Sequence, residues 1–327
     1  MDPDQQEPEK HTHLKTFAKE INEGLSQSPK RISSKYFYNK RGDELFQSIM
    51  RMEEYYLTDA EFEILSLQKE EIAEAIKYSE GKFQLVEFGA GDGYKTKILL
   101  NYLLEMGANF EYVPIDISAN ALTQLCEDLA SEMPDLKVNP LVKEYFKALD
   151  DLKANELRKV VLFLGSNIGN FSLQAAQDFL KEISSRLNSN DLLLMGVDLK
   201  KDPHVILAAY NDSNGITKAF NINVLNRINE ELGGDFDIFN FEHFPVYDPV
   251  TGSTKSYLIS KRPQTVSIAE LDKQFYFDQG EPIDMEVSQK YSTKDLNSLA
   301  ENSGYEVIKY YYDCKNYFTD TLWKIKS

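Results

Sequence analysis

The sequence predicts an α/β protein: a doubly wound parallel sheet with a second lobe. Three observations lead there. Short apolar runs alternate with helical segments between residues 83 and 197, which is the pattern of a parallel sheet covered by helices. The alternation stops after Asp198 and resumes near residue 283. Right-handed crossovers then make the sheet doubly wound. The expected organisation is a disordered tail over 1–13, N-terminal helices over 14–70, a sheet domain from 71–198 and 283–327, and an inserted substrate-binding lobe over 199–282. The N-terminal helices are expected to join that lobe.

The elements follow in order. MDPDQQEPEKHTH is polar and contains Pro3 and Pro8, so it reads as unstructured. It has no basic stretch followed by an apolar one, so it does not read as a secretory signal. Leu14, Phe17, Ile21 and Leu25 recur at helical spacing. A second helix is expected over 43–50. A third is expected near Thr58, where Thr58, Asp59 and Glu61 suit a cap and first turn. Strands are expected over 83–88, 112–116, 137–142, 160–165 and 192–197, with helices over 95–106, 119–132 and 173–187 between them. Residues 203–232 read as helices and 243–278 as several strands. A strand at 286–288, a helix over 293–302 and two strands after Gly304 complete the chain.

Composition narrows the function. The chain has 327 residues, with 36 Lys plus Arg against 53 Asp plus Glu, a formal net charge of -17. That balance argues against a broad nucleic-acid surface, which needs clustered cations. No run approaches the ~20 apolar residues of a membrane span. Two cysteines, Cys126 and Cys314, make neither a disulfide framework nor a Cys-based zinc site. The four histidines lack ligand spacing, so no metal is expected. The expected setting is the reducing cytoplasm, and the expected state a monomer.

Two segments carry chemistry. VEFGAGDGYKT (86–96) is a strand, a glycine turn and a helix start. Glycine allows positive φ and close approach of a ligand, at the strand ends where open α/β sheets bind ligands. Tyr94 stands where a dinucleotide fingerprint wants its third glycine, and the P-loop Gly-Lys-Ser/Thr is absent. Asp116 ends the next strand and can accept both ribose hydroxyls. A nucleoside without a phosphate cradle fits S-adenosylmethionine better than NAD or ATP. A tight βα turn with no ligand is the plainer alternative. LFLGSNIGNFS (162–172) is the second segment. Asn170 offers two donors and one acceptor for a substrate's ammonium or carboxylate, or Asn167 and Asn170 only satisfy the turn's backbone.

Several motifs then converge: SPKRISSKYFYNKRGDELFQSI (28–49), EEYYLTDAEFEIL (53–65), VEFGAGDGYKT, IDISANAL (115–122), FLGSNIGNF (163–171), AAYNDSNGITKAFNINVLNRINEELGGDFD (208–237), FEHFPVYD (241–248) and MEVSQKY (285–291). The chain resembles the SAM-dependent histidine Nα-methyltransferases of ergothioneine biosynthesis, a branch of the class I methyltransferases. The match runs collinearly from about residue 28 to the C-terminus. The resemblance implies S-adenosylmethionine as cofactor, S-adenosylhomocysteine as product, and a small amino acid as partner. It implies cofactor contacts at Tyr38, Gly89, Gly91, Lys95 and Asp116. It implies substrate contacts at Tyr55, Asn170, Tyr210, Glu286 and Ser288, with Tyr55 and Asn170 nearest the chemistry. Asn170 and Tyr210 would hold the α-amino and α-carboxylate end, Glu286 and Ser288 the imidazole. Those last two lie two apart on an expected strand and so share a face.

The chain departs from the family pattern in two places. Tyr145 stands where the family has an acid before the adenine-contacting aromatic, which is Phe146 here. Ser256 stands where the family has Met near the imidazole, which polarises the ring end. The expected reaction is methylation of histidine's α-amino group, up to three times. Two alternatives stay open: the same chemistry on another amino acid or small amine, and a binding module without turnover.

Overall fold

The computed structural model describes residues 3–77, 81–153 and 155–326. They form two compact units, one of Met1–Tyr55 with Asp202–Ser288, the other of Tyr56–Lys201 with Gln289–Ser327. Among the described residues no helix is long and apolar enough to cross a membrane.

The second unit is built on a seven-stranded sheet. Its order is Tyr305–Tyr312, Phe318–Ile325, Leu192–Asp198, Arg158–Phe163, Phe83–Phe88, Phe110–Asp116, Leu141–Val142. Pairing is parallel from Leu192–Asp198 to Leu141–Val142, and Phe318–Ile325 is antiparallel to both of its neighbours. FQLVEF and LLLMGVD are buried at every position, as strands covered on both faces must be. Val86, Val113, Val161 and Leu193 pack with helices Tyr145–Leu152, Leu173–Ser184 and Thr293–Asn302. The alternate residues Leu85, Tyr112, Val160 and Leu194 are equally buried, on the opposite face. The order reverses at Phe83–Phe88, so the glycine turn leaves the sheet at its switch point, where a ligand crevice opens.

The first unit has a four-stranded sheet, ordered Lys30–Arg31, Pro282–Gln289, Ser253–Ser260, Phe241–Asp248, and a ribbon of Gln264–Ile268 with Lys273–Phe277. Helices Pro3–Leu25, Lys40–Met50, Pro203–Tyr210 and Ile216–Leu232 complete it. Phe17, Ile21, Phe37, Phe220, Leu225, Leu258 and Met285 belong to its core.

Three expectations change. Helix Pro3–Leu25 includes the backbone of 3–13, expected to be a disordered tail. Proline suits a first helical turn, and the Gln, Glu and Lys that follow are good helix formers. Helix Tyr56–Ile76 belongs with the sheet unit rather than the lobe. It starts two residues before the expected cap and buries Leu57, Ile64, Leu65 and Ile72 along one side. Residues 283–288 belong to the first unit, because Pro282–Gln289 pairs there between Lys30–Arg31 and Ser253–Ser260.

Candidate functional site

In the sheet unit, the glycine turn leaves the Phe83–Phe88 strand with Gly89, Gly91 and Gly93 all at positive φ, 65°, 55° and 63°. A Cβ on Gly89 would lie 3.0 Å from the Tyr145 hydroxyl, and one on Gly93 would lie 2.7 Å from Leu125 Cδ1. The turn therefore packs tightly on one side while Gly91 stays open and exposed. Asp116, half-buried at the end of the neighbouring strand, accepts the Ser118 amide at 2.9 Å through Oδ1. Ser118 caps the following helix by accepting from Ala121 at 3.3 Å. Asp116 keeps acceptor capacity for a diol.

Tyr145 and Phe146 separate. The Tyr145 ring stacks on Phe88 at 4.5 Å, and its hydroxyl reaches Gly89. Burial and the Asp116 charge push that phenol up to about 12. Phe146 instead packs on Phe179 at 5.4 Å, under the Arg186 guanidinium at 5.2 Å. Of the two, Tyr145 is the one set against the turn.

Lys95 closes the glycine turn and pairs with the buried carboxylate of Glu61. Burial opposes its charge, and the Glu61 carboxylate more than offsets that, so its basicity rises. The other Glu61 oxygen accepts the Gly165 amide at 2.7 Å. The two turns thus converge on one ion pair. Glu87, wholly buried beneath them, accepts from Thr96 at 2.5 Å and from Tyr112, and burial pushes it up to about 7. Glu61 and Glu87 were not among the expected site residues. In the sequence Glu61 reads as a helix-start acid and Glu87 as one acid in an apolar strand.

The second turn divides its two asparagines. Asn167 donates to Leu164 O at 2.9 Å and so serves the backbone. Asn170 is exposed at the end of the Asn167–Asn170 turn. Phe171 stacks on Phe179 at 4.9 Å, which ties one face of its ring to the core.

In the first unit, the YFYNKRG segment is held by local chemistry. Asn39 caps helix Lys40–Met50 by accepting from Gly42 at 2.8 Å. A side chain at 42 would collide with Phe37 O, 1.8 Å from its Cβ. The buried Arg227 donates to the carbonyls of Tyr36 at 3.1 Å and Tyr38 at 3.2 Å. The Tyr38 ring, 46% exposed, meets Phe46 and Phe220 edge-on. Its phenol is pushed above the ordinary range by desolvation and by the charges of Glu286 and Asp43. That electrostatic reach brings Tyr38, expected on the cofactor side, into the neighbourhood of Glu286. Glu286 is half-buried and Ser288 buried on Pro282–Gln289. Tyr210 is buried at the end of Pro203–Tyr210, and its carbonyl accepts from His243 Nε2 at 2.9 Å. Burial holds His243 below its ordinary value. Tyr55 packs against the first unit's core. Ser256 is buried on Ser253–Ser260, and its hydroxyl meets no partner among the described residues. No group of three or more His, Cys, Asp or Glu able to hold a metal ion occurs among the described residues.

A parallel sheet with one reversed strand, a three-glycine turn at its switch point and a ribose-type carboxylate on the next strand define a class I methyltransferase domain. These residues fit S-adenosylmethionine: Gly91 stays open at the turn, and Asp116 keeps an acceptor for a ribose diol. A curated relative from Mycobacterium tuberculosis (strain CDC 1551 / Oshkosh), named histidine N-alpha-methyltransferase, is 33% identical over 92% of each chain. Ergothioneine biosynthesis protein 1 of Neurospora crassa is 33% identical over 86% of this chain and 32% of its own length. The L-tryptophan methyltransferase trpM of Psilocybe serbica is 27% identical over 87% of this chain and 86% of its own. The chain belongs to the family of histidine-specific, SAM-dependent methyltransferases, whose model matches residues 17–325.

Proposed function

We propose that this enzyme methylates the α-amino nitrogen of L-histidine, up to the trimethylated product, as a monomer in the cytoplasm. The observation that supports it most is the grouping within the first unit. There Glu286 and Ser288 share the Pro282–Gln289 strand, and the Tyr38 phenol responds to the Glu286 charge. A carboxylate and a hydroxyl match the two imidazole nitrogens.

S-adenosylmethionine, when bound, supplies an activated methyl on a sulfonium. Gly89 and Gly91 let the backbone approach it, Asp116 accepts its ribose hydroxyls, and Lys95 offers a cation at the turn. Tyr145 places a hydroxyl at the position where the family has an acid. Asn170 and Tyr210 hold the substrate's α-amino and α-carboxylate end. Tyr55 orients the amine, which has a pKa of roughly 8 when free and must lose a proton before attack. Fixing amine and methyl in line is worth ~7–11 kcal/mol of the barrier. The rings of Tyr38 and Tyr55 favour a product ammonium that has lost its N–H donors.

The test has two arms. Incubation with histidine and cofactor should give products heavier by one to three methyl groups in a mass spectrum. Glu286→Ala should weaken histidine binding by ~1.5–3 kcal/mol, the scale of one charged hydrogen bond, while leaving S-adenosylhomocysteine titrations unchanged. Equal losses for both ligands would remove the imidazole role. The unpartnered Ser256 hydroxyl favours one second reading, an amino acid with a different side chain. Methylation of another amino acid in preference to histidine would establish it.

A further inference from the structure

Beneath the two turns lies a pair of acids that the proposed chemistry does not use. Glu61 and Asp320 are both fully buried, and Asp320 faces Gly196 across the Phe318–Ile325 and Leu192–Asp198 pairing. A Cβ on Gly196 would lie 2.1 Å from Glu61 Oε1 and 3.2 Å from Asp320 Oδ1. The missing side chain at 196 is therefore what makes room for both carboxyls. Neither Asp320 oxygen meets a donor among the described residues. The carboxyl that shares this space with it is Glu61, whose two oxygens already serve Gly165 N–H and Lys95. Two carboxyls side by side in a buried site with a single ammonium beside them do not both ionise readily. Lys95 neutralises only one of them. Burial and the Glu61 charge together hold Asp320 far above the usual carboxylate range.

We propose that Asp320 is a positioning residue: it carries a proton, donates it in a hydrogen bond to Glu61, and through Glu61 sets Lys95 and the Gly165 amide where the two turns meet. Resting on the reading that Lys95 contacts the cofactor, this makes Asp320 a remote determinant of cofactor affinity. The chemistry required of residue 320 is a donor of aspartate's size, not a charge.

Asp320→Asn keeps a donor of that size and Asp320→Leu removes it. In calorimetric titrations of the full chain with S-adenosylhomocysteine, D320N should bind within about threefold of the parent and D320L at least tenfold more weakly. The infrared spectrum of the parent at neutral pH should contain a protonated-carboxyl carbonyl band that D320N lacks. A D320L protein that binds like the parent, a D320N protein as weak as D320L or unable to fold, or a spectrum without that band overturns the proposal. If D320L does not fold, D320N and the band decide. A parent that does not bind S-adenosylhomocysteine would sink the cofactor reading instead, and the infrared band would still decide the protonation of Asp320.

Discussion

Asp198 and Asp320 are buried aspartates on neighbouring strands of one sheet, and their surroundings drive their acidities in opposite directions. Asp198 faces Phe318 across the same pairing that sets Asp320 opposite Gly196. Burial alone would raise both. Asp198 is pulled below its ordinary value because Lys290 Nζ sits 2.6 Å away and Lys201 pairs with it too. Tyr56 donates to both of its oxygens, at 3.0 and 2.9 Å. Asp320 shares the Lys95 cation with Glu61 and is pushed the other way by burial and the Glu61 charge. Depth in the core therefore does not set the charge of an acid; the count of counter-charges within reach does.

The contrast is most exposed at Asp198. Asp198→Asn leaves two buried ammonium groups facing an amide, and should cost ~3–5 kcal/mol in a urea melt. A loss below about 1 kcal/mol would mean that the Asp198 charge is not what holds the two ammonium groups in the core.

Glu87 sharpens the same point through pH. Its folded value is raised from 4.5 to about 7 by burial. Between those values the folded protein holds a proton that the unfolded chain has lost. The associated stability is present in full below pH 4.5 and is lost as pH rises through 7. Asp198 has the opposite sign: its contribution is present above 3.8 and lost as pH falls through its lower folded value. Relative to the parent, Glu87→Gln should gain up to roughly 3 kcal/mol on going from acid to neutral pH. Denaturant melts at several pH values check this, and a pH-independent difference would break the comparison.

Gly196→Ala tests the space rather than the charge. Its methyl would displace the Glu61–Asp320 pair and should cost ~1–3 kcal/mol by overpacking. Glu61 should lose its hold on Lys95, so S-adenosylhomocysteine binding should weaken along with stability. Unchanged binding would separate the acid pair from the turns.

The apolar runs made the sheet legible in the sequence, because strands buried on both faces have nowhere to put polar residues. The glycine turn and Asp116 were legible for a similar reason, since positive φ and a strand-end carboxylate leave marks within a few residues. The helical start at Pro3 was not, because that stretch shows no apolar periodicity from which to read a helix. Glu61 was mistaken for a helix-start acid because its partners are remote in the chain, Gly165 being 104 residues away. Tyr145 and Phe146 are adjacent in the sequence, yet adjacent residues on a helix point about 100° apart, so only the structure separates the one stacked on Phe88 from the one packed on Phe179.

The Phe318–Ile325 strand is made later than the other six strands of its sheet, yet it occupies an interior place between Leu192–Asp198 and Tyr305–Tyr312. A nascent chain must therefore keep the Leu192–Asp198 edge unpaired until translation has passed Ile325. Through that interval the edge is open to wrong partners, and Glu61 waits for the aspartate that completes its site.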